Sequence, residues 1–174
     1  MEKKFELTDK FVFNTFGIKL FQIKCTKSFK YAKEGDLGGY VEKDENLGQE
    51  SDAWVSGNAW VYGNAQVSGN AWVSGNARVY GNARVSGDAW VSGNADIEND
   101  NNHCGFDCFG SCNRHTHAYL TKDNKVEITC GCFRGSIEEF EKKVEGTHSG
   151  TIYEKQYKAI INVIKIKFGL TDLI

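Results

Sequence analysis

A pattern of six residues, with apolar side chains at its first and third positions, fills the middle of the chain. From Ala53 to Ile97 the hexamer Ala-x-Val-x-Gly-Asn recurs eight times without an insertion, although the last copy is cut short. Its alanine and valine are two residues apart, so they face the same side of an extended strand. One small and one β-branched residue per repeat suits a narrow, dry interior. The pattern therefore predicts one short strand per hexamer.

Corners between these strands are predicted at the Gly-Asn pairs, which Gly87-Asp88 replaces once. The chain has no proline and 19 glycines, so its sharp turns must be made by Gly, Asn or Asp. We expect the Gly-Asn pair to supply the positive φ values of a tight corner. Identical one-strand repeats stack more naturally in parallel than as hairpins. The fold class predicted is mainly β, with a parallel β-helix over residues 51–99.

The outward positions of the repeat form three predicted ladders. If three hexamers make one coil, residues 18 apart stack on one face at a spacing of about 4.8 Å. The first face then carries Trp54, Trp72 and Trp90, the second carries Trp60, Arg78 and Asp96 beside Tyr62 and Tyr80, and the third carries Gln66 and Arg84.

These faces carry few charges for surfaces in water. Between Ala53 and Ala95 only Arg78, Arg84 and Asp88 are charged, so the aromatic area needs cover. One interpretation is a subunit interface or a dock for the C-terminal helices. The other is a platform that stacks a nucleobase or sugar while an arginine pairs a phosphate. The candidate binding residues are Trp54, Trp60, Trp72, Trp90, Tyr62, Tyr80, Arg78 and Arg84.

The segments on either side of the repeat do not share its period. Residues 1–50 are predicted to form a β cap, in which FELTDKFVFN and GIKLFQIKCTKSF alternate as strands and AKEGDLGG is a turn region. Residues 119–174 are predicted as a β-hairpin followed by two helices. Ser136 with Glu139, and Thr151 with Glu154, are the capping signals of those helices.

Cysteine and histidine are concentrated in residues 100–118, which we interpret as a loop. One interpretation is a structural zinc site with Cys104, Cys108, Cys112 and His115 as ligands, although their spacing is not one of the standard zinc-finger spacings. The favoured interpretation is a set of reduced, partly buried thiols. His103 and His117 lie in the same segment, and the Cys-x-Cys pair in ITCGCF offers further sulfur ligands.

Composition narrows the possible partners. The net charge is −2 and the sequence pI is about 6.1, so general nucleic-acid binding is not expected. No apolar run is long enough for a signal peptide or a membrane span, and a cytoplasmic location is expected.

The repeat resembles the hexapeptide-repeat superfamily, whose left-handed parallel β-helices have three hexamers per coil and usually form trimers. A wider resemblance, carried by GDLGGYVEKDENLGQESDAWV and VEITCGCFRGSIEEFEKKVEGTH, is to uncharacterised bacteriophage and prophage proteins. Gly48 stands where that group usually has serine. These resemblances imply a homotrimer of phage origin.

Catalytic motifs are sparse. Hexapeptide acyltransferases use a histidine general base, but the first histidine here is His103, and the repeat has no covering insertion. We therefore expect a non-catalytic binding protein without a cofactor other than the possible zinc, acting on a host protein in an anti-defence role. Sequestration of a nucleotide-like ligand between subunits is the alternative, and an acyltransferase comes third.

Overall fold

The computed structural model describes residues 3–170. The chain divides into two compact units, residues 1–100 and residues 101–174, and each is described by itself.

The repeat forms a parallel β-solenoid, which confirms the predicted fold class. Trp54 pairs with Trp72 and Trp72 with Trp90, so residues 18 apart stack and three hexamers make one coil. The other two faces pair in the same way. Its strands are β4 (Trp54–Val55), β5 (Trp60–Val61), β6 (Gln66–Val67), β7 (Trp72–Val73), β8 (Arg78–Val79), β9 (Arg84–Val85), β10 (Trp90–Val91) and β11 (Asp96–Ile97).

The interior of the solenoid is built from the two apolar positions of the hexamer. Every repeat alanine, and every valine or Ile97, is at most 3% exposed. The predicted inward positions are thus confirmed. Burial of the eight β-branched side chains provides most of the apolar stabilisation of these short strands, since each contributes about 1.5–3 kcal/mol.

The corners differ from the prediction in the role of asparagine. The corner glycines have φ between 62° and 70°, whereas the described residues other than glycine with positive φ are Cys108, Asn113 and Asn124, all beyond the repeat. Asparagine instead stacks on the next coil: Asn64 Nδ2 donates to Asn82 Oδ1 at 3.2 Å, and Asn70 Nδ2 donates to Asp88 Oδ1 at 2.9 Å. Glycine alone therefore makes the left-handed turn.

The N-terminal segment continues one face of the solenoid. It contains β1 (Phe5–Phe13), β2 (Lys19–Cys25) and β3 (Leu37–Val41), so the end of the predicted AKEGDLGG turn region is strand. β1 pairs antiparallel with β2, β2 pairs antiparallel with β3, and β3 pairs parallel with β5. The six-stranded sheet has the order β1-β2-β3-β5-β8-β11, which leaves β1 at its edge.

Unit two is a four-stranded antiparallel sheet with two helices. Its strands are β12 (His103–Phe109), β13 (Arg114–Leu120), β14 (Val126–Cys130) and β15 (Phe133–Ser136), paired in chain order. Helices α1 (Ile137–His148) and α2 (Ile152–Lys167) follow. Both predicted caps are present, since Ser136 accepts from the Glu139 amide and Thr151 from the Glu154 amide.

The segment predicted as a Cys/His-rich loop is a β-hairpin instead. Cys104, Phe106 and Phe109 pack against the core that the sheet shares with α1 and α2, whereas Asp107 contacts His115. Cys104 at the inward position acts as a small apolar residue. It thereby completes the alternating pattern of a strand, which is not visible if the cysteine is interpreted as a metal ligand. In residues 3–170, no helix has the length and apolar character needed to cross a bilayer.

Candidate binding surfaces

The tryptophan ladder of the first face is partly covered by its own chain. Phe29 meets Trp54 edge to face at 5.4 Å between ring centroids, and Tyr31 stacks on Trp72 at 5.7 Å. Trp72 in turn stacks on Trp90 at 5.3 Å, and Trp54 is only 2% exposed. Phe29 and Tyr31 lie in a tight turn closed by the bridge between Phe29 and Ala32, outside the six-residue period, so the period does not predict this cover.

Aromatic rings on the second face contact one another. Tyr62 and Tyr80 stack at 5.1 Å with an interplanar angle of 7°, and the Arg78 guanidinium lies 5.0 Å from the Trp60 ring centroid. Tyr80 donates a hydrogen bond to Asp96 at 3.4 Å. Burial, with a contribution from Asp96, raises the pKa of Tyr80 to about 12, so this phenol stays protonated at neutral pH.

The two arginines proposed to pair a phosphate lie on different faces of one chain. Arg78 belongs to the sheet that continues from β5, whereas Arg84 belongs to the separate pair β6 and β9. The Arg84 side chain is exposed, and its backbone amide donates to Asp100. A single subunit thus does not bring both guanidinium groups to one set of rings.

The four predicted zinc ligands are not gathered by the hairpin. Cys104 is partly buried on the helix side, where burial raises the pKa of its thiol to about 11. His115 is on β13 and points to the side of the sheet that faces away from the helices. Its Nδ1 lies 2.5 Å from an Asp107 carboxylate oxygen. Cys108 and Cys112 are exposed. Across the described residues, no group of three or more His, Cys, Asp or Glu side chains has an arrangement that would hold a metal ion.

Histidines do meet on the side of the sheet that carries His115. His103 Nδ1 lies 2.9 Å from His117 Nε2, and the rings of His115 and His117 are 5.6 Å apart. Beside them Tyr119 donates to Glu127 at 3.0 Å. The register of β12 and β13 explains this clustering, because Gly105 stands opposite His117 and leaves room for the His115 ring.

A cluster of phenylalanines on the N-terminal hairpin was not anticipated. We define the hairpin patch as Phe11, Phe13, Lys19 and Phe21. Phe11 contacts Phe13 at 5.5 Å and Phe21 at 6.5 Å between centroids, and the Lys19 ammonium lies 4.0 Å from the Phe11 ring centroid. Phe11 is 45% exposed and Phe13 59%.

The hairpin patch spans the edge strand β1 and its neighbour β2, next to an exposed turn. Phe16, in the turn between β1 and β2, is 80% exposed. A sequence signal exists for this surface: five of the 11 phenylalanines fall between Phe5 and Phe21.

Similarity to a known family is confined to the coils. Residues 53–69, 65–78 and 77–93 match the family model described as the YdcK β-solenoid repeat. The matches span residues 53–93 of the 174, so they support a β-solenoid repeat protein and do not extend to either flanking segment. No curated protein matches the chain.

Proposed function

We propose that this β-solenoid protein is a non-catalytic binding protein that recognises a partner protein through the hairpin patch. The exposure of Phe11 and Phe13 carries the proposal. Large aromatic side chains grouped on a surface mark interaction sites more often than single exposed apolar residues do. The edge position of β1 adds unpaired backbone groups beside the rings.

The chemistry of the patch indicates the kind of partner surface. Lys19 lies over the rings of both Phe11 and Phe21, so a positive charge is held against the apolar rings. Such a surface is complemented by an apolar socket bordered by Asp or Glu side chains. We therefore propose a protein partner with an acidic rim.

In this proposal, the solenoid is a rigid support for the hairpin patch. Its Trp72 and Trp90 rings stack on one another, and Tyr31 of the N-terminal segment stacks on Trp72. The patch is joined to the coils through the continuous sheet β1-β2-β3-β5. A binding surface on a rigid sheet loses little conformational entropy on association.

The proposed setting follows from the resemblance to phage and prophage proteins. There the partner is a host protein in the bacterial cytoplasm, bound in an anti-defence role, and the binding protein is a homotrimer. The nucleotide-like ligand is the less favoured alternative, because Arg78 already faces Trp60 and the two tyrosines already stack.

Site-specific photocrosslinking in bacterial cells tests the proposal. A benzophenone amino acid replaces Phe13 in the patch or, as the comparison site, Arg84 on the third face. We expect one heterologous protein to be captured from position 13 and not from position 84. Capture of a second copy of this chain from position 13 would contradict the proposal, because the patch would then be a subunit interface. Equal capture from both positions would also contradict it.

Affinity measurements with the captured protein complete the test. The double variant Phe11→Ser/Phe13→Ser should bind the purified partner at least about tenfold more weakly, because each buried phenylalanine contributes about 1.5–3 kcal/mol. Ile152→Ser is the matched control, since Ile152 is a similarly exposed apolar residue in unit two. Equal affinities for the two variants would refute the role of the patch.

A further inference from the structure

A small cavity opens in unit two between the sheet and helix α1. It has a volume of about 100 Å³ and is bordered by β13, the turn between β14 and β15, α1 from Phe140 to His148, and Tyr157 of α2. This volume is of the same order as the cavity of about 150 Å³ that accommodates a benzene ring in an engineered protein. The cavity thus has room for a small organic molecule.

The rim of the cavity carries basic side chains and no carboxylate. Arg114, Lys143 and His148 line it, and neither Asp nor Glu is among its lining residues. Across residues 3–170, the side chains of Arg114 and Lys143 have no hydrogen-bond or ion-pair partner. Other lysines of these helices are neutralised, as in the pairs Lys165 with Glu141 at 2.7 Å and Lys158 with Glu154 at 2.8 Å. Unbalanced positive charge therefore converges on this cavity.

Two glycines allow the polar groups to reach their positions. A Cβ at Gly131 would lie 2.5 Å from Arg114 Nη1, so the guanidinium lies against a bare backbone turn. A Cβ at Gly110 would lie 2.1 Å from the Tyr157 hydroxyl oxygen. Burial, together with the neighbouring Cys130, raises the pKa of Tyr157, so its hydroxyl remains a hydrogen-bond donor at neutral pH.

Aromatic rings form the apolar part of the cavity wall. Phe133 and Phe140 are 5.0 Å apart between centroids, and Phe140 meets Tyr157 edge to face at 5.6 Å. His148 stacks on Tyr157 at 5.5 Å with an interplanar angle of 27°. Flat apolar walls beneath a basic rim suit a molecule with one anionic end and one apolar end.

We propose that this cavity binds a small organic oxyanion, either a carboxylate or a phosphate monoester with an apolar body the size of one ring. The Arg114 guanidinium presents parallel N–H donors to the oxyanion, and Lys143 adds a second positive charge. The apolar body lies against Phe140 and Tyr157. This site is separate from the hairpin patch, and it stands or falls independently of the proposed function.

Ligand titration of the full-length ¹⁵N-labelled protein, followed by NMR, tests the site. The probes are benzoate, phenyl phosphate, inorganic phosphate and the neutral analogue benzamide, each added to about 10 mM, a range that detects millimolar dissociation constants. We expect saturable shifts at Thr147 and His148 with benzoate or phenyl phosphate. The stronger of these two ligands identifies the anionic group that the cavity prefers.

Paired lysine variants test the contribution of charge. Lys143→Gln should weaken binding by at least about fivefold, whereas Lys142→Gln, its neighbour on α1 outside the cavity, should leave binding unchanged. Arg114→Lys should weaken binding by a smaller factor, because one charge remains while the planar donors are lost.

Several results would overturn the proposal. Benzamide binding as tightly as benzoate would show an apolar cavity without anion selectivity, and inorganic phosphate binding as tightly as phenyl phosphate would remove the role of the rings. Absence of saturable shifts with both organic anions would exclude the site. Equal binding by the Lys143→Gln and Lys142→Gln proteins would place the ligand elsewhere.

Discussion

At the scale of single residues, the corner glycine Gly75 of the solenoid meets two structural requirements. The first is a positive φ, which costs other residues about 1–2 kcal/mol. The second is space, because the glycine lies over the glycine of the next coil: a Cβ at Gly75 would be 2.9 Å from the Gly93 backbone nitrogen. Gly87 has a similar φ of 69°, but nothing lies within 4 Å of its Cβ position.

The contrast between these two glycines gives a matched prediction. Gly75→Ala should lower the free energy of unfolding by about 1–3 kcal/mol more than Gly87→Ala, because only the former forces neighbouring coils apart. Urea denaturation followed by tryptophan fluorescence measures both values. Equal losses would mean that φ strain alone determines the role of glycine at the corners.

Lys4 is a buried cation at the start of the solenoid. It is 6% exposed, and its ammonium donates to the Ser51 and Ala53 carbonyl oxygens at 2.5 and 2.7 Å. Burial lowers the pKa of Lys4 from 10.5 to about 8. The unfolded chain therefore binds more protons at position 4 than the folded chain does between pH 8 and pH 10.5.

A pH dependence of stability follows from this difference. As pH rises through that window, the wild-type free energy of unfolding should increase relative to that of Lys4→Met by about 1–3 kcal/mol. Toward pH 7 the difference should level off, since Lys4 is then almost fully protonated in both states. Chemical denaturation of the two proteins from pH 7 to pH 11 measures it, and parallel curves would contradict the prediction.

At the scale of elements, a short 3-10 helix (Asp44–Asn46) precedes the first coil and covers part of it. The Asn46 side chain is fully buried. Its Nδ2 donates to the Ala65 and Gly63 carbonyl oxygens at 2.8 and 3.2 Å, and its Oδ1 accepts from the Lys43 amide at 3.0 Å. The Asn46 side chain thereby provides hydrogen-bond donors to carbonyl oxygens of the first coil, which has no preceding coil to provide them.

Replacement of Asn46 should lower the free energy of unfolding far more than replacement of an asparagine in a corner ladder. Asn46→Ala should lower the free energy of unfolding by about 2–4 kcal/mol, since buried backbone groups lose their partners. Asn58→Ala is the control, because Asn58 is exposed and its contact with Asn76 is 3.5 Å long. That variant should lose less than about 0.5 kcal/mol. Similar losses in thermal or urea unfolding would show that Asn46 has no special capping role.

At the scale of the whole molecule, the two compact units have separate apolar interiors. All four tryptophans belong to residues 1–100, whereas Ile128, Phe140 and Ile161 belong to the core of unit two. A solenoid is stabilised mainly by contacts between neighbouring coils. Damage to one coil therefore acts first on the unit that contains it.

Hydrogen exchange should distinguish the units. In the Gly75→Ala protein, we expect faster amide exchange in the coils between residues 53 and 97, and exchange rates close to those of the wild type in α1 and α2. Mass-spectrometric peptide mapping of both proteins checks this. Equal acceleration in both units would show that they unfold as one cooperative body.

The sequence predicts those parts of the structure in which a regular spacing along the chain determines which residues are neighbours. The inward Ala and Val positions, the three ladders and both helix caps follow from spacing alone. The cover of Trp54 by Phe29 does not, because it joins residues 25 positions apart without a shared period.

The binding surfaces were harder to predict for a related reason. The anion cavity joins Arg114 from a strand to Lys143 from a helix, and the hairpin patch depends on which phenylalanines the sheet leaves exposed. Tertiary packing decides both. The place of Cys104 also depends on tertiary packing, because the alternation of β12 puts this free thiol against the core of unit two.

The 18-residue spacing between stacked strands also limits how the gene for this protein can change length. In-frame duplication or deletion of one complete coil leaves every downstream residue on the same face of the solenoid. Replication slippage within the repetitive codons can therefore lengthen or shorten the solenoid with little disruption of its structure. Gain or loss of a single hexamer instead turns everything downstream by one third of a revolution. The solenoids of homologous proteins are therefore expected to differ in length by whole coils.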